Sequence, residues 1–169
     1  MGHKKDGDNN LIITRVGTIS GDTISLEAEE TIHSYLGFEP TGQHAPPIIK
    51  YHPTQANLIG LCYGWGTGAQ PGETGDAWFK TGVVGATGIT WNNEYTLTSG
   101  RNFAATGRFA FDWCKQSALG GSTMKFGIAW FVPEGFGGSP GKQGNCIVGT
   151  CDTTGGMVSV GMSQDLYGG

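Results

Sequence analysis

Apolar and polar residues alternate with a period of two in two neighbouring segments of the chain. In residues 103–113 every second position holds Phe, Ala, Gly or Trp, while Thr106, Arg108 and Asp112 are among the residues between them. Residues 124–132 repeat the alternation, with Met, Phe, Ile, Trp and Val at every second position. Successive side chains of a strand point to opposite faces of a sheet, so each segment is predicted to be a strand with one buried face. The small and polar linker 114–122 predicts an antiparallel hairpin with a wide loop.

The remaining pattern also predicts short strands separated by Gly- and Pro-rich turns. These strands are predicted at 11–19, 23–28, 31–37, 47–51, 57–65, 77–84, 88–98, 145–150 and 156–162. A strand about every 8–12 residues favours a sandwich or a barrel. We expect an all-β fold, an antiparallel two-sheet β-sandwich of jelly-roll type. Residues 1–10 are predicted to be a polar N-terminal arm and residues 11–169 a single domain. A helix over 22–36 is the alternative that its Leu, Ala and Glu residues leave open.

The composition is poor in charge and rich in glycine. Of the 169 residues, 14% are charged and 31 are Gly, with a formal net charge of −4. Soluble domains usually have about 25% charged residues. Either much of the surface is buried against copies of the same chain, or Thr, Ser, Asn and Gly replace ions at the surface. No basic stripe is present to neutralise phosphates, so direct binding of nucleic acid is not expected.

The N-terminus and the cysteines indicate the cellular compartment in which the protein is made. The first residues lack the apolar core of a signal peptide, so we expect synthesis in a reducing cytoplasm. We therefore expect four free thiols, while a small loop closed by Cys146 and Cys151 is the alternative. Because His is sparse and Cys-x-x-Cys is absent, no metal is expected. No cofactor is expected either.

Residues that would support catalysis are scarce. The chain has no recognisable nucleophile elbow between a predicted strand and a predicted helix, and its cysteines have no recognisable histidine context. Glu94 and Glu134 are a conceivable carboxylate pair, but nothing in the sequence brings them together. We therefore expect a protein that is not an enzyme.

Two glycine-rich stretches, 64–75 and 134–144, are predicted to be loops, and loops on a rigid sheet often carry recognition. Trp65 lies among the glycines of the first stretch, where its ring is available to stack on a sugar or to lie at a membrane interface. An ordinary loop residue packed on its own domain is the alternative. Trp65, Trp91, Pro133 and Glu134 are the candidate ligand-binding residues.

The predicted hairpin carries the first family resemblance. Cys114 ends its first strand, Gly121 lies in the loop, and the second strand ends in Val132-Pro133-Glu134. This arrangement resembles a strand pair in the jelly-roll capsid proteins of small RNA viruses. The resemblance covers about 30 residues, and the basic arm common in such capsids is missing. It implies a jelly-roll subunit of a virion.

A second resemblance is to the actinoporin-like cytolysins, which are β-sandwiches that bind lipid headgroups. Ala105-Thr106-Gly107 is similar to a strand start of that family, and Val132-Pro133 is similar to its Val-Pro turn. Of the headgroup pocket only Pro133 carries over, and the amphipathic N-terminal helix is absent.

These observations lead to one expectation and one alternative. We expect a non-enzymatic structural protein of a viral particle, as a coat, decoration or similar assembly subunit, whose partners are copies of itself. The alternative is a module that binds a glycan or a lipid headgroup, lectin-like or cytolysin-like.

Overall fold

The computed structural model describes residues 10–35, 43–66, 75–98, 109–114, 123–132, 143–161 and 164–165. Every regular element in these ranges is a β-strand, and the strand pairs are antiparallel. The expected all-β class and the antiparallel pairing are therefore confirmed. The described residues include no helix long and apolar enough to cross a membrane.

Fourteen strands are found in the described residues. They are β1 (Asn10–Thr14), β2 (Gly17–Ser20), β3 (Thr23–Leu26), β4 (Glu30–Tyr35), β5 (Gln43–Tyr51), β6 (Leu58–Gly66), β7 (Gly75–Val84), β8 (Ile89–Trp91), β9 (Tyr95–Thr98), β10 (Phe109–Trp113), β11 (Thr123–Val132), β12 (Gln143–Asp152), β13 (Met157–Val160) and β14 (Gln164–Asp165). The predicted arm 1–10 lies outside the described residues except for Asn10, which begins β1.

The chain divides into two compact units. The first comprises residues 1–40 and 84–90, and the second comprises 41–83 and 91–169. In the first unit β1 pairs with β4, and the pairing shifts by one residue between Ile12 and Ile13. Ile12, Ile13 and Ile32 are buried in this unit. The separate strands β2 and β3 form a hairpin whose turn contains Gly21 at a φ of 58°, a left-handed conformation that glycine adopts readily.

In the first unit the predicted strands 23–28 and 31–37 are confirmed as β3 and β4, whereas the predicted extent of the strand 11–19 is wrong. The alternative helix over 22–36 is instead β3 and β4, because β-branched Thr and Ile residues favour extended backbone there. The predicted single strand 11–19 is interrupted at Arg15 and Val16. Its two halves enter different pairings, β1 with β4 and β2 with β3.

The second unit contains most of two five-stranded sheets. One has the order β5-β6-β7-β8, with β9 also pairing with β7. The other has the order β10-β11-β12-β13, with β14 also pairing with β12. The predicted hairpin is confirmed, since β10 and β11 pair in a register that places Phe111 opposite Ile128. The predicted strand 88–98 is interrupted at 92–94, which separates β8 from β9.

Side chains from both sheets of the second unit share one apolar core. Phe79 of β7 lies 4.5 Å from Phe126 of β11 and 5.2 Å from Phe111 of β10, measured between ring centroids. The predicted alternation is confirmed at Phe109, Phe111, Trp113, Met124, Phe126, Ile128 and Trp130, all of which are buried. Each large apolar side chain removed from water stabilises the fold by about 1.5–3 kcal/mol.

Candidate functional site

The four residues predicted to bind a ligand do not form a described site. Trp65 lies in β6, opposite His44 and Asp76 in the strand register, which agrees with the predicted strand 57–65 and not with the predicted loop 64–75. The strand continues through Gly66 because its neighbours β5 and β7 are long enough to pair with it. The Trp65 side chain, Pro133 and Glu134 lie outside the described part of the structure.

Trp91 is the one predicted binding residue whose side chain is described. It ends β8 and is half-buried. Its indole Nε1 is buried and has no hydrogen-bond partner among the described residues. An unsatisfied buried N–H is uncommon, so this group is available to an acceptor that reaches it.

The conceivable carboxylate pair is described only at Glu94. Its carboxylate accepts a hydrogen bond from the hydroxyl of Tyr63, whose side chain is fully buried. The other member, Glu134, lies outside the described residues. Glu94 therefore has a structural contact, and the pair stays a prediction.

A surface that sequence analysis missed lies on the β2–β3 hairpin. Gly17, Ile19, Ile24 and Leu26 share one side of this ribbon, which we call the apolar hairpin face. In the register Ile19 lies opposite Ile24, and Gly17 opposite Leu26. The three large side chains are 73%, 64% and 60% exposed for Ile19, Ile24 and Leu26. The alternation and the Gly21-Asp22 turn are readable in the sequence, but the lack of cover is not.

A backbone hydrogen bond and an ion pair hold the base of the hairpin, although both faces of the hairpin are exposed. The backbone N–H of Glu27 donates to the carbonyl of Val16 at 2.9 Å, which continues the ladder beyond the two strands. Arg15 and Glu29 form an ion pair next to this base. Every residue of β2 and β3 is exposed, so the described part of the first unit covers neither face of the ribbon. An isolated two-stranded ribbon is only marginally stable in water, and this one therefore gains stability from any surface that covers it.

A second feature of the first unit is a cleft of about 360 Å³, which we call the polar groove. It is lined by Thr14 and Val16, by residues 28–30 and by residues within 85–90. Thr14 and Glu30 are direct partners across β1 and β4, so their side chains share one face of that ribbon. The backbone N–H of Ile89 lies 3.4 Å from Oε2 of Glu30, to which it donates.

Thr14 has an unusual environment at this groove. Its side chain is only 3% exposed, and its hydroxyl has no hydrogen-bond partner among the described residues. A buried hydroxyl without a partner costs about 1–3 kcal/mol. The groove also contains the carboxylates of Glu29 and Glu30, and Arg15 neutralises one of them. The remaining negative charge of the groove disfavours anions and favours groups that donate hydrogen bonds.

The second unit has an open apolar depression of about 430 Å³. It is lined by residues of β5, β10, β11 and β12, among them Ile48, Ala129 and Val148. Lys50 and Asp112 form an ion pair of 3.4 Å within this lining. The depression is shallow and presents few polar groups, so it offers little to position a small substrate.

Three cysteines of the second unit have the expected thiol state. Cys62, Cys146 and Cys151 are free thiols. Cys151 lies on the buried side of β12, whereas Cys146 is half-buried and lines the apolar depression. Since residues separated by an odd number along a strand face opposite sides, Cys146 and Cys151 do not bridge.

Two polar clusters of the second unit, each built around one buried side chain, have structural roles. His52 is 3% exposed, and its Nδ1 accepts hydrogen bonds from the backbone N–H groups of Thr54 at 3.3 Å and Gln55 at 3.0 Å. Burial lowers the pKa of His52, so the ring is held neutral as an acceptor that closes the turn after β5. Asn92 donates to the Thr81 hydroxyl at 3.2 Å and to the carbonyl of Thr154 at 2.9 Å, which fixes the β12–β13 turn.

The described residues contain no cluster of three or more His, Cys, Asp or Glu side chains that would hold a metal ion. No family model, no curated protein and no solved structure matches this chain.

Proposed function

We propose that this chain is a non-enzymatic structural subunit that assembles with copies of itself in a viral particle, as a coat or decoration protein. The observation that carries the proposal is the uncovered apolar hairpin face. Ile19, Ile24 and Leu26 lie side by side on it, each at least 60% exposed. Contiguous apolar surface of this kind is typical of interaction sites.

A second copy of the chain is the occupant that suits this face best. The face carries no charge, so two identical faces meet across a two-fold axis without burying an ion. Covering three such side chains in each copy stabilises the contact by about 1.5–3 kcal/mol for each fully buried one. The low charged fraction of 14% fits a chain whose surface is largely covered by neighbours.

One hairpin contact is too small to hold two subunits together alone. A stable interface buries about 800 Å² on each partner, more than three side chains provide. The proposed assembly therefore depends on several weak contacts per subunit, which reinforce one another in a closed particle. Val148, which is 62% exposed on β12, marks a further uncovered apolar position in the second unit.

The fold proposal is a jelly-roll sandwich in the second unit. Its two five-stranded sheets contribute to one core, which supports a sandwich. The resemblance of the β10–β11 hairpin to a capsid strand pair supports the jelly-roll type and the viral setting. The turn at Pro133 and Glu134, on which that resemblance partly depends, lies outside the described residues.

The decisive experiment measures particle size against protein concentration. We expect the wild-type chain to form oligomers in size-exclusion chromatography with light scattering, and regular particles in negative-stain microscopy. Replacing Ile19→Thr and Ile24→Thr together keeps β-branched residues on the ribbon and should shift the population towards monomer by about tenfold or more in the association constant. Thr18→Ser with Thr23→Ser, on the opposite side of the same hairpin, is the matched control. A wild-type monomer over a thousandfold range of concentration would contradict the proposal.

A second candidate is a module that binds a glycan or a lipid headgroup, as proposed from Trp65, Trp91, Pro133 and Glu134. The unsatisfied indole N–H of Trp91 favours it, because an oxygen of a sugar or headgroup satisfies such a donor. Glycan-array and liposome binding test this candidate. Trp91→Phe retains an aromatic ring without the N–H and should weaken binding, as should Trp65→Ala, whereas no binding to either surface removes the candidate.

A further inference from the structure

We propose that the polar groove of the first unit binds a small hydroxyl-rich molecule, of the size of a mono- or disaccharide, through Glu30 and Thr14. This site is separate from the apolar hairpin face and does not depend on self-assembly. The inference starts from two side chains that the β1–β4 register places directly opposite each other. One is a carboxylate that lines the groove, and the other is a buried hydroxyl to which none of the described residues forms a hydrogen bond.

The hydroxyl of Thr14 is the independent sign of a ligand. Thr14 lines the groove, is 3% exposed and has no hydrogen-bond partner in the described residues. Valine has the same shape and would fill this position without an unsatisfied polar atom. A ligand that enters the groove and forms a hydrogen bond with this hydroxyl would explain why the position is threonine.

The volume of the groove indicates the size of that partner. About 360 Å³ is within the range of small-ligand pockets, and it is far larger than the roughly 30 Å³ that one water occupies. A single water or a bare cation would satisfy Thr14 but would leave most of the groove unfilled.

The lining groups indicate the chemistry of the partner. The carboxylates of Glu29 and Glu30 accept hydrogen bonds, whereas the hydroxyls of Thr14, Thr87 and Thr90 both donate and accept. A polyol suits this mixture because each of its hydroxyls also donates and accepts. An ammonium group only donates, and an anion would be repelled by the carboxylate of Glu30.

Apolar groups in the lining complete the match. Val16, Ala28 and Ile89 lie among the polar residues of the groove. A sugar ring presents C–H groups on its faces and hydroxyls around its edge, so these side chains contact the ring while the carboxylate of Glu30 contacts the edge. The Ile89 N–H already donates to Oε2 of Glu30, which holds that carboxylate in place before a ligand arrives.

The test uses the full chain and a panel of glucose, galactose, mannose, N-acetylglucosamine, lactose and maltose at millimolar concentration. Binding is measured by saturation-transfer NMR and by calorimetric titration. We expect at least one of these sugars to bind, and Thr14→Val and Glu30→Gln each to weaken it by tenfold or more. Thr31→Val changes an exposed threonine of β4 that does not line the groove, and should leave the affinity within twofold of wild type.

A readout that does not depend on binding separates a ligand role from a structural one. If the Thr14 hydroxyl serves a ligand, Thr14→Val should unfold at the same or a higher temperature than wild type when no sugar is present. A lower unfolding temperature for Thr14→Val would show that the hydroxyl stabilises the fold, and would overturn the proposal. Failure of every sugar to bind, or saturable binding of calcium without any sugar, would also overturn it.

Discussion

The indole Nε1 of Trp113 donates a hydrogen bond of 3.1 Å to the backbone carbonyl of Lys50. Trp113 ends β10 in one sheet of the second unit, and Lys50 lies in β5 of the other. Trp113 is 4% exposed, and its ring packs against the ring of His52 in a T-shaped arrangement with 4.9 Å between ring centroids. One side chain therefore joins the two sheets through both a polar and an apolar contact.

Trp113→Phe tests this link. Phenylalanine keeps an aromatic ring in the core but removes the N–H and leaves unfilled space where the larger indole lay. We expect the free energy of unfolding to fall by about 1–3 kcal/mol, as measured by urea denaturation. Lys50→Gln keeps the backbone carbonyl and is the control, with an expected change below about 1 kcal/mol from its exposed ion pair with Asp112. Equal losses in the two variants would contradict the assigned role.

Gly149 of β12 makes room for the ring of Phe126 on the neighbouring strand β11. A Cβ at Gly149 would lie 2.7 Å from Cε2 of Phe126 and closer still to Cζ. Gly149→Ala should therefore lower the free energy of unfolding by about 1–3 kcal/mol through overpacking. Around Gly127, on β11 of the same sheet, no atom of the described residues would lie within 4 Å of an added Cβ. Gly127→Ala should change stability by no more than about 0.5 kcal/mol, and a loss as large as that of Gly149→Ala would refute the packing argument.

The sequence was most informative where one face of a strand is buried. Phe109, Phe111 and Trp113 alternate with polar or small residues because water contacts only one face, so parity alone predicted their burial. The interruption at Arg15 and the one at Asn92 were not predicted. Each depends on which strand the chain pairs with next, and local alternation does not encode that choice.

The candidate sites are harder to predict from the sequence than the buried strands are. The tryptophan and glycine content predicts a binding role for Trp65, whereas the structural features that favour binding lie at Thr14 and at the pair Ile19 and Ile24. Isoleucine on an alternating strand normally predicts a buried residue. Ile19 and Ile24 are exposed because none of the described sheets covers the β2–β3 hairpin, which local alternation does not encode. The Thr14 hydroxyl is found to have no partner among the described residues only once its neighbours are placed.

The thiols are expected to differ in reactivity. Burial raises the pKa of Cys62 well above its ordinary value. Burial, with the negative charge of Asp152, raises the pKa of Cys151 to about 12. Because the thiolate is the reactive form, iodoacetamide at about pH 8 should modify half-buried Cys146 more than tenfold faster than Cys62 or Cys151 in the folded protein.

Peptide mass spectrometry measures this order, and the same reaction in denaturant is the control. All of these thiols should react at similar rates once the chain is unfolded. Rapid modification of Cys62 in the folded protein would contradict its complete burial in the core.

Asp152 gives the fold a predicted dependence on pH. Its Oδ1 accepts hydrogen bonds from the hydroxyl of Thr154 at 2.6 Å, from the N–H of Thr154 at 2.8 Å and from the N–H of Gly156 at 2.9 Å. The hydroxyl bond chiefly, together with the backbone bonds, lowers the pKa of Asp152 below its ordinary value of 3.8, although partial burial opposes this. A lowered folded-state pKa means that the carboxylate stabilises the fold above pH 3.8, and that this contribution is lost as the pH falls through the folded-state pKa.

Asp152→Asn measures the contribution of this charge. The amide oxygen still accepts the three hydrogen bonds, but it has no charge to lose as the pH falls. We expect wild type to be more stable than the variant near neutral pH by less than about 1 kcal/mol, because the group is partly exposed to solvent. The difference should shrink between about pH 5 and pH 2 in urea unfolding. Asp22→Asn, in the exposed turn of the β2–β3 hairpin, is the control for loss of a carboxylate alone. If the difference in unfolding free energy between wild type and Asp152→Asn stays constant over this pH range, the charge of Asp152 does not stabilise the β12–β13 turn.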